Sequence, residues 1–201
     1  MRGWLVATCL ALTTTLSAET KILAFSGSTR ADSYNKKLVE QAAAVARAEG
    51  STVTIIDLKD YLMPFYDGDL EKKHGLPENA KKLRALMIKS DGFIIGSPEY
   101  NGSVSAILKN TLDWVSRNEK GGASNEAFKG KKFALMSASP GKGGGSKGLE
   151  HLEFIIKRLG GEVIDKKVSI PEAHTMMNGA TALQNSNLKQ QIQLEVEQLL
   201  P

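Results

Sequence analysis

The sequence has little cysteine and no concentrated charge. Cys9 is its one cysteine among 201 residues, which excludes a disulfide framework. If the N-terminal residues are removed by processing, the remaining chain has no thiol for a zinc site or for nucleophilic catalysis. Lysines and arginines occur singly or in pairs such as Lys36-Lys37, never in a longer run. Because the net charge is only +4, we expect a small anionic ligand rather than a nucleic acid.

Extremes of composition are also missing. Hydrophobic residues make up 41% of the chain and charged residues 24%, close to the averages of globular proteins. These values exclude collagen-like, coiled-coil and wholly disordered chains. The length fits one domain with a core of its own, and the sequence contains no internal repeat.

Residues 1–18 differ from the rest of the chain. Arg2 precedes an uncharged, apolar or hydroxylic run from Trp4 to Leu16, and the small Ala18 precedes Glu19. This layout is typical of a secretory signal peptide, and the run is too short for a transmembrane span. We therefore expect residues 1–18 to be cleaved, residues 19–201 to be exported to a compartment such as the periplasm, and the mature protein to have no stable membrane association. An uncleaved anchor and a misassigned start codon are the alternatives, and without cleavage we expect a cytoplasmic protein.

From Lys21 onward, short apolar runs alternate with amphipathic segments. The runs predict five strands, at 22–26, 52–57, 92–97, 132–137 and 163–170. The segments predict helices at 33–49 and 77–89, around 104–115 and 149–159, and at 188–199, with loops at 61–75 and 141–148. This alternation indicates an α/β fold with a parallel sheet covered on both faces. Such sheets bind ligands at the carboxyl ends of their strands, so the loops after the first, third and fourth strands are the candidate site.

The first of these loops, residues 27–35, follows a strand and opens a helix. Free N–H groups and the positive end of the dipole at a helix N-terminus suit a phosphate. Hydroxyl, amide and guanidinium groups add to this, from Ser28, Thr29, Arg30, Ser33 and Asn35. The loop lacks the spacing of the dinucleotide fingerprint and of the Walker loop. The alternative is a plain turn with a helix N-cap at residue 32 or 33.

The other two loops could border a flat ligand. Residues 97–103 place an aromatic ring and backbone amides at a strand end, and the alternative is a capped turn with Ser103 as the N-cap. Residues 139–146 contain glycines that allow a ligand to approach the backbone, and the alternative is a flexible linker.

The three loops together resemble the NADPH-dependent FMN reductase family. The resemblance rests on GSTRADSYN (27–35), SPEYNGS (97–103) followed by LKNTLDW (108–114), and SPGKGGG (139–145). It implies a flavodoxin-like three-layer sandwich with strand order 2-1-3-4-5, bound FMN, and NAD(P)H as co-substrate. It further implies ping-pong hydride transfer to a quinone, azo compound, metal oxyanion or free flavin, by a homodimer or homotetramer. No catalytic side chain and no metal ligand is expected.

The resemblance also assigns residues to parts of the cofactor. It implies that the FMN phosphate is held by Ser28, Arg30, Ser33 and Asn35. It implies that the isoalloxazine ring is bordered by Pro98, Glu99, Tyr100 and Asn101. It implies that the other edge of the ring is covered by Ser139, Gly141 and Gly143.

One residue departs from the family pattern, and two other functions share the fold or the cofactor. Ser105 stands where many members have proline, which predicts a looser turn into the following helix. A flavodoxin-type electron carrier has the same fold and cofactor, although such carriers are usually acidic and the pI here is about 9.1. An exported protein that binds flavin without catalysis is the other alternative.

Overall fold

The computed structural model describes residues 19–177 and 186–200. The predicted signal segment, residues 1–18, lies outside the described residues. Within the described ranges, no helix is long and apolar enough to cross a membrane.

The central sheet has the predicted parallel topology. Its strands are β1 (Lys21–Ser26), β2 (Thr52–Asp57), β3 (Gly92–Gly96), β6 (Lys132–Ala138), β7 (Glu162–Val163) and β8 (Val168–Ile170). The order is β2-β1-β3-β6, and both β7 and β8 pair with the outer edge of β6. This is the order 2-1-3-4-5 with a divided fifth strand, so the prediction of one continuous strand over 163–170 is wrong. The charged residues Asp165, Lys166 and Lys167 lie in the interruption.

Helices cover both faces of the sheet. They are α1 (Tyr34–Ala48), α2 (Gly68–His74), α3 (Glu78–Lys89), α4 (Ala106–Val115), α5 (Ser146–Arg158), α6 (Ala173–Met176) and α7 (Ser186–Leu199). One apolar cluster joins α1 and α7 to one face of the sheet, and a second joins α3, α4 and α5 to the other. Every residue of β3 is buried, because a strand covered on both faces has no polar side.

Four short elements before α4 were not predicted. A 3₁₀ helix (Leu58–Tyr61) and α2 lie in the segment 58–75, and β4 (Glu99–Tyr100) pairs with β5 (Ser103–Val104) as an antiparallel hairpin. α2 has Asp67 as its N-cap. Such short elements carry too few residues for a periodic signal.

Candidate functional site

The three candidate loops meet at the carboxyl ends of β1, β3 and β6, as predicted. Side chains tie each loop to the backbone of another. Ser105 Oγ donates to the Gly27 carbonyl at 2.6 Å, and Gly148 N–H donates to Glu99 Oε2 at 2.8 Å. The carboxamide of Asn35 bonds to the backbone of Ala138. The loops therefore form one connected surface before any ligand is considered.

The first loop presents an anion-binding helix terminus. Ser33 is the N-cap of α1 and accepts from Lys36 N–H, which leaves the N–H groups of Tyr34 and Asn35 without a partner among the described residues. Arg30 is exposed and forms no salt bridge with the described part of the chain. The exposed Asp32 is paired with Lys37 at 2.5 Å, and this bond lowers the pKa of Asp32. The loop thus offers free donors and one unpaired cation, which is the chemistry that a phosphate requires.

Asn35 is placed at this loop, but its side chain is used elsewhere. Asn35 Nδ2 donates to the Ala138 carbonyl and Asn35 Oδ1 accepts from Ala138 N–H, each at 2.9 Å. The residue is 4% exposed. Both polar atoms of its carboxamide are therefore held by the protein, in contrast to the phosphate contact that the family resemblance implies.

The hairpin after β3 places an aromatic ring beside the site. Asn101 (φ 53°) and Gly102 (φ 74°) form its two-residue turn. Tyr100 is 53% exposed. The carboxylate of Glu99 accepts from Gly148 N–H in the first turn of α5. It serves as the cap of that helix, because the N-cap residue Gly145 has no side chain to do so.

The turn into α4 is fastened by Ser105. Its hydroxyl accepts from Leu108 N–H at 3.3 Å as the N-cap of α4 and donates to Gly27. The expectation that serine here loosens the turn is therefore wrong, since the hydroxyl makes two bonds that proline could not. Ser103, the alternative N-cap, instead lies 2.7 Å from His151 Nδ1.

The glycine-rich loop is ordered by its own backbone. Gly144 N–H donates to Gly141 O, Ser146 N–H to Gly143 O, and Gly141 N–H to Ser139 Oγ. Gly145 has φ +86°, and a Cβ there would overlap the Ser137 hydroxyl. The flexible-linker alternative is therefore wrong.

The residues at this edge fit FMN. Ser26 and Ser137 are buried near the carboxyl ends of β1 and β6, and their hydroxyls have no hydrogen-bond partner among the described residues. Unpaired buried hydroxyls are costly unless a ligand or water satisfies them. This edge combines three features. The N-terminus of α1 suits a phosphate, and the exposed Tyr100 and the glycine-rich loop, whose backbone a ligand can approach, suit a flat ring.

Known proteins match this chain over most of its length. The model of the NADPH-dependent FMN reductase family matches residues 20–175. The chain belongs to this family. It is an FMN-dependent NAD(P)H oxidoreductase, as the motifs predicted.

Individual relatives agree with the family assignment. An NAD(P)H-dependent FMN reductase of Pseudomonas aeruginosa is 28% identical over 92% of this chain and 95% of its own. A 2-hydroxy-1,4-benzoquinone reductase of a Burkholderia species is 35% identical over 69% of this chain and 71% of its own. The solved structure of the flavoenzyme NAD(P)H:(acceptor) oxidoreductase FerB of Paracoccus denitrificans has a TM-score of 0.74 at 24% identity, covering 90% of this chain and 97% of that one. This structural likeness shows the shared fold.

The LKNTLDW motif of this reductase anchors the segment after β2. Asn110 Oδ1 accepts from Tyr66 N–H at 2.8 Å, and Asn110 Nδ2 donates to the Pro64 carbonyl at 3.0 Å. Trp114 is fully buried and its Nε1 donates to the same carbonyl at 2.7 Å. These motif residues therefore attach residues 64–66 to α4, a role that the motif alone did not reveal.

An ion pair missed by the sequence reasoning secures the same segment. Arg117 donates three bonds to Glu71, two from Nε and one from Nη2, and Tyr66 Oη donates a fourth. Arg117, through its hydrogen bond, lowers the pKa of Glu71, while burial raises the pKa of Tyr66. Glu71 and Arg117 lie 46 positions apart, so no local pattern could have paired them.

Two cavities lie away from the three loops. One of about 550 Å³ opens between the outer faces of α1 and α7, lined by residues that include Glu40, Ala44 and Ile192. Its walls belong to the middle and far parts of α1, whereas the candidate site uses the first turn of that helix. Exposed residues at the cofactor edge, such as Arg30, Tyr100 and Gly143, belong to the three loops.

Proposed function

We propose that this reductase passes electrons from NAD(P)H to a quinone. The observation that carries the proposal is the open edge where the hairpin presents the half-exposed Tyr100 next to the uncharged Asn101 and Gly102. A flat, uncharged acceptor can stack at such an edge. The 2-hydroxy-1,4-benzoquinone reductase of a Burkholderia species, 35% identical to this chain, supports the same acceptor class.

The protein contributes binding and orientation to this reaction. Bound FMN supplies the chemistry, since it can accept a hydride and release electrons. In sum, NAD(P)H gives two electrons and one proton, the quinone gains two electrons and two protons, and the second proton comes from solvent. Solvent can supply this proton because the hairpin is exposed at Tyr100, while the carboxylate of Glu99 already accepts from Gly148 N–H.

Steady-state kinetics test the acceptor. The FMN-loaded protein is assayed with NADPH and NADH against 1,4-benzoquinone, an azo dye, chromate and free FMN. We expect parallel lines in double-reciprocal plots and a kcat/KM for the quinone at least about tenfold above the others, a difference that a well-matched site can supply. Intersecting lines, or a clear preference for another acceptor, would contradict the proposal.

We further propose that the protein assembles as a homodimer or homotetramer. Large apolar side chains stand in solvent, with Phe65 78%, Phe154 68% and Leu62 57% exposed. Such exposure is unusual for a monomer when the side chains are grouped, and Phe65 and Leu62 lie on one short segment. Light scattering during gel filtration should give a multiple of the chain mass, and a monomeric wild type would contradict this. Phe65→Glu should shift the wild-type oligomer toward monomer.

We also propose that residues 1–18 are a cleaved export signal. The uncharged run and the small residue before Glu19 support this. N-terminal sequencing of the protein from its native host should begin at Glu19. A chain that begins at Met1 in the cytoplasmic fraction would contradict it.

A further inference from the structure

The carboxamide of Asn35 replaces a missing strand partner in the sheet. β3 and β6 are paired up to Gly96 and Met136, and the Ser97 N–H still donates to the Met136 carbonyl at 2.8 Å. If the pairing continued in this register, Pro98 would lie opposite Ala138. Pro98 has no N–H to donate and leads into the hairpin. The N–H and carbonyl of Ala138 are bonded by Asn35 instead, each at 2.9 Å.

The helix approaches closely enough for this bond because Gly96 has no side chain. A Cβ on Gly96 would lie 2.7 Å from the Asn35 carbonyl oxygen and 2.7 Å from Val39 Cγ2. The first turn of α1 therefore rests directly on the end of β3. The bonds between Asn35 and Ala138 join the start of α1 to the end of β6, which lie 103 positions apart in the sequence.

The start of α1 and the end of β6 hold opposite ends of the candidate cofactor site. Asn35 lies in the helix turn that offers free N–H groups to a phosphate. Ala138 is followed directly by Ser139 and the glycine-rich loop, whose backbone bonds leave it little freedom. One buried side chain thus bridges the phosphate end and the ring end of the site.

We propose that Asn35 is a positioning residue that sets the spacing between the phosphate-binding turn and the glycine-rich loop, and that its side chain is not a phosphate ligand. The inference rests on FMN being the cofactor. The two roles differ in one measurable respect. Loss of a phosphate ligand weakens FMN and leaves riboflavin, which has no phosphate, unaffected. Loss of the Asn35 bonds to Ala138 also releases the glycine-rich loop, which borders the ring that FMN and riboflavin share, and so weakens both.

Flavin affinities distinguish the roles. Dissociation constants for FMN and riboflavin are measured by fluorescence on the full chain, for the wild type, Asn35→Ala and Arg30→Ala. We expect Asn35→Ala to weaken both flavins by about tenfold or more, as the loss of two buried hydrogen bonds suggests. Arg30→Ala should weaken FMN only. Weakened FMN with unchanged riboflavin in Asn35→Ala would overturn the inference, and so would two unchanged affinities.

Two further variants control for folding. Lys131 Nζ donates to three carbonyls, of Met87, Ile88 and Ser90, each at 2.6 Å. Lys131→Met, at this distant site, should lower the unfolding temperature of the protein without changing its affinity for FMN or riboflavin. It therefore distinguishes general destabilisation from the loss of the Asn35 bonds. If Asn35→Ala does not fold, Asn35→Asp decides, because it keeps the volume and the acceptor but not the donor to Ala138. Its riboflavin affinity should fall, and a wild-type value would overturn the inference.

The same measurements on the wild type test the cofactor assignment itself, which fails if the wild-type chain binds neither flavin. That result would refute the positioning role with it. A different outcome is that the wild type binds and reduces FMN, while Asn35→Ala has a weaker affinity for FMN and an unchanged affinity for riboflavin. This would leave the proposed function intact and refute only the role of Asn35.

Discussion

Ser105 offers the most direct test of how the loops are held together. Its hydroxyl is the N-cap of α4 and also bonds to the Gly27 carbonyl of the first loop. Replacement by alanine removes both bonds. An N-cap contributes about 1 kcal/mol, and a buried carbonyl left unpaired costs about 1 kcal/mol or more. We therefore expect Ser105→Ala to lower the free energy of unfolding by about 2 kcal/mol.

Proline at the same position makes the test sharper. The φ of Ser105 is −65°, which is the value that proline fixes, and its N–H donates no bond within the described ranges. Ser105→Pro should lose the same two bonds but recover about 0.4–1 kcal/mol from a more restricted unfolded chain. It should therefore be destabilised less than Ser105→Ala.

Thermal and urea unfolding of the flavin-free protein measure both variants. For a domain of this size, about 2 kcal/mol corresponds to roughly 4–8 °C in Tm. Ser90→Ala is the matched control, because Ser90 Oγ bonds only a carbonyl of its own helix, that of Leu86 at 2.9 Å, and should cost less than about 0.5 kcal/mol. If Ser105→Ala unfolds at the temperature of Ser90→Ala, the hydroxyl does not join the loops as described.

Three other predictions follow from individual residues. Gly145→Ala should abolish tight FMN binding measured by fluorescence, because its φ is +86° and a Cβ would overlap a buried hydroxyl, whereas Gly68→Ala, with open space around it and a position outside the three loops, should bind FMN as the wild type does. Arg117→Met should cost about 3–5 kcal/mol in urea unfolding at neutral pH, since it leaves the 5% exposed carboxylate of Glu71 unpaired. Because the pKa of Glu71 is lowered in the fold, the stability it provides is present above its unfolded pKa and is lost as the pH falls through the folded value. The variant should lack this acid-side loss, and an identical acid-side profile in both proteins would contradict the assignment. Burial raises the pKa of Glu195 from 4.5 to about 8, so its contribution should make the free energy of unfolding fall as the pH rises from about 4.5 to about 8. Glu195→Gln should remove that fall, and an unchanged pH profile would show that Glu195 ionises normally.

The fold was predictable because its signals are local. The strands inside the sheet are continuous apolar runs, and α1 and α5 have clear amphipathic faces, so a parallel sheet could be predicted from these patterns. The order of its strands was implied by the resemblance to the family. The boundary of the fifth strand was missed, because the runs on either side of Asp165 are too short to show that the strand is interrupted there. α2 was missed because its seven residues are mostly charged.

The site was predictable as a set of loops but not as a set of contacts. The loops were found from the types of their residues and their positions after strands. The partners of Asn35 and Glu99 are 103 and 49 positions away, so their roles depend on how the chain folds back on itself. The expectation for Ser105 failed for the same reason, since the carbonyl of Gly27 that it bonds is 78 positions away.

This reductase must bind FMN and reduce it with a nicotinamide cofactor. The purified full chain is loaded with FMN, and NADPH or NADH is added without oxygen while the visible flavin absorbance is followed. Rapid bleaching by at least one of the two is the predicted result. Tight FMN binding without bleaching by either would contradict a reductase activity and favour an electron carrier or a flavin-binding protein with another electron source.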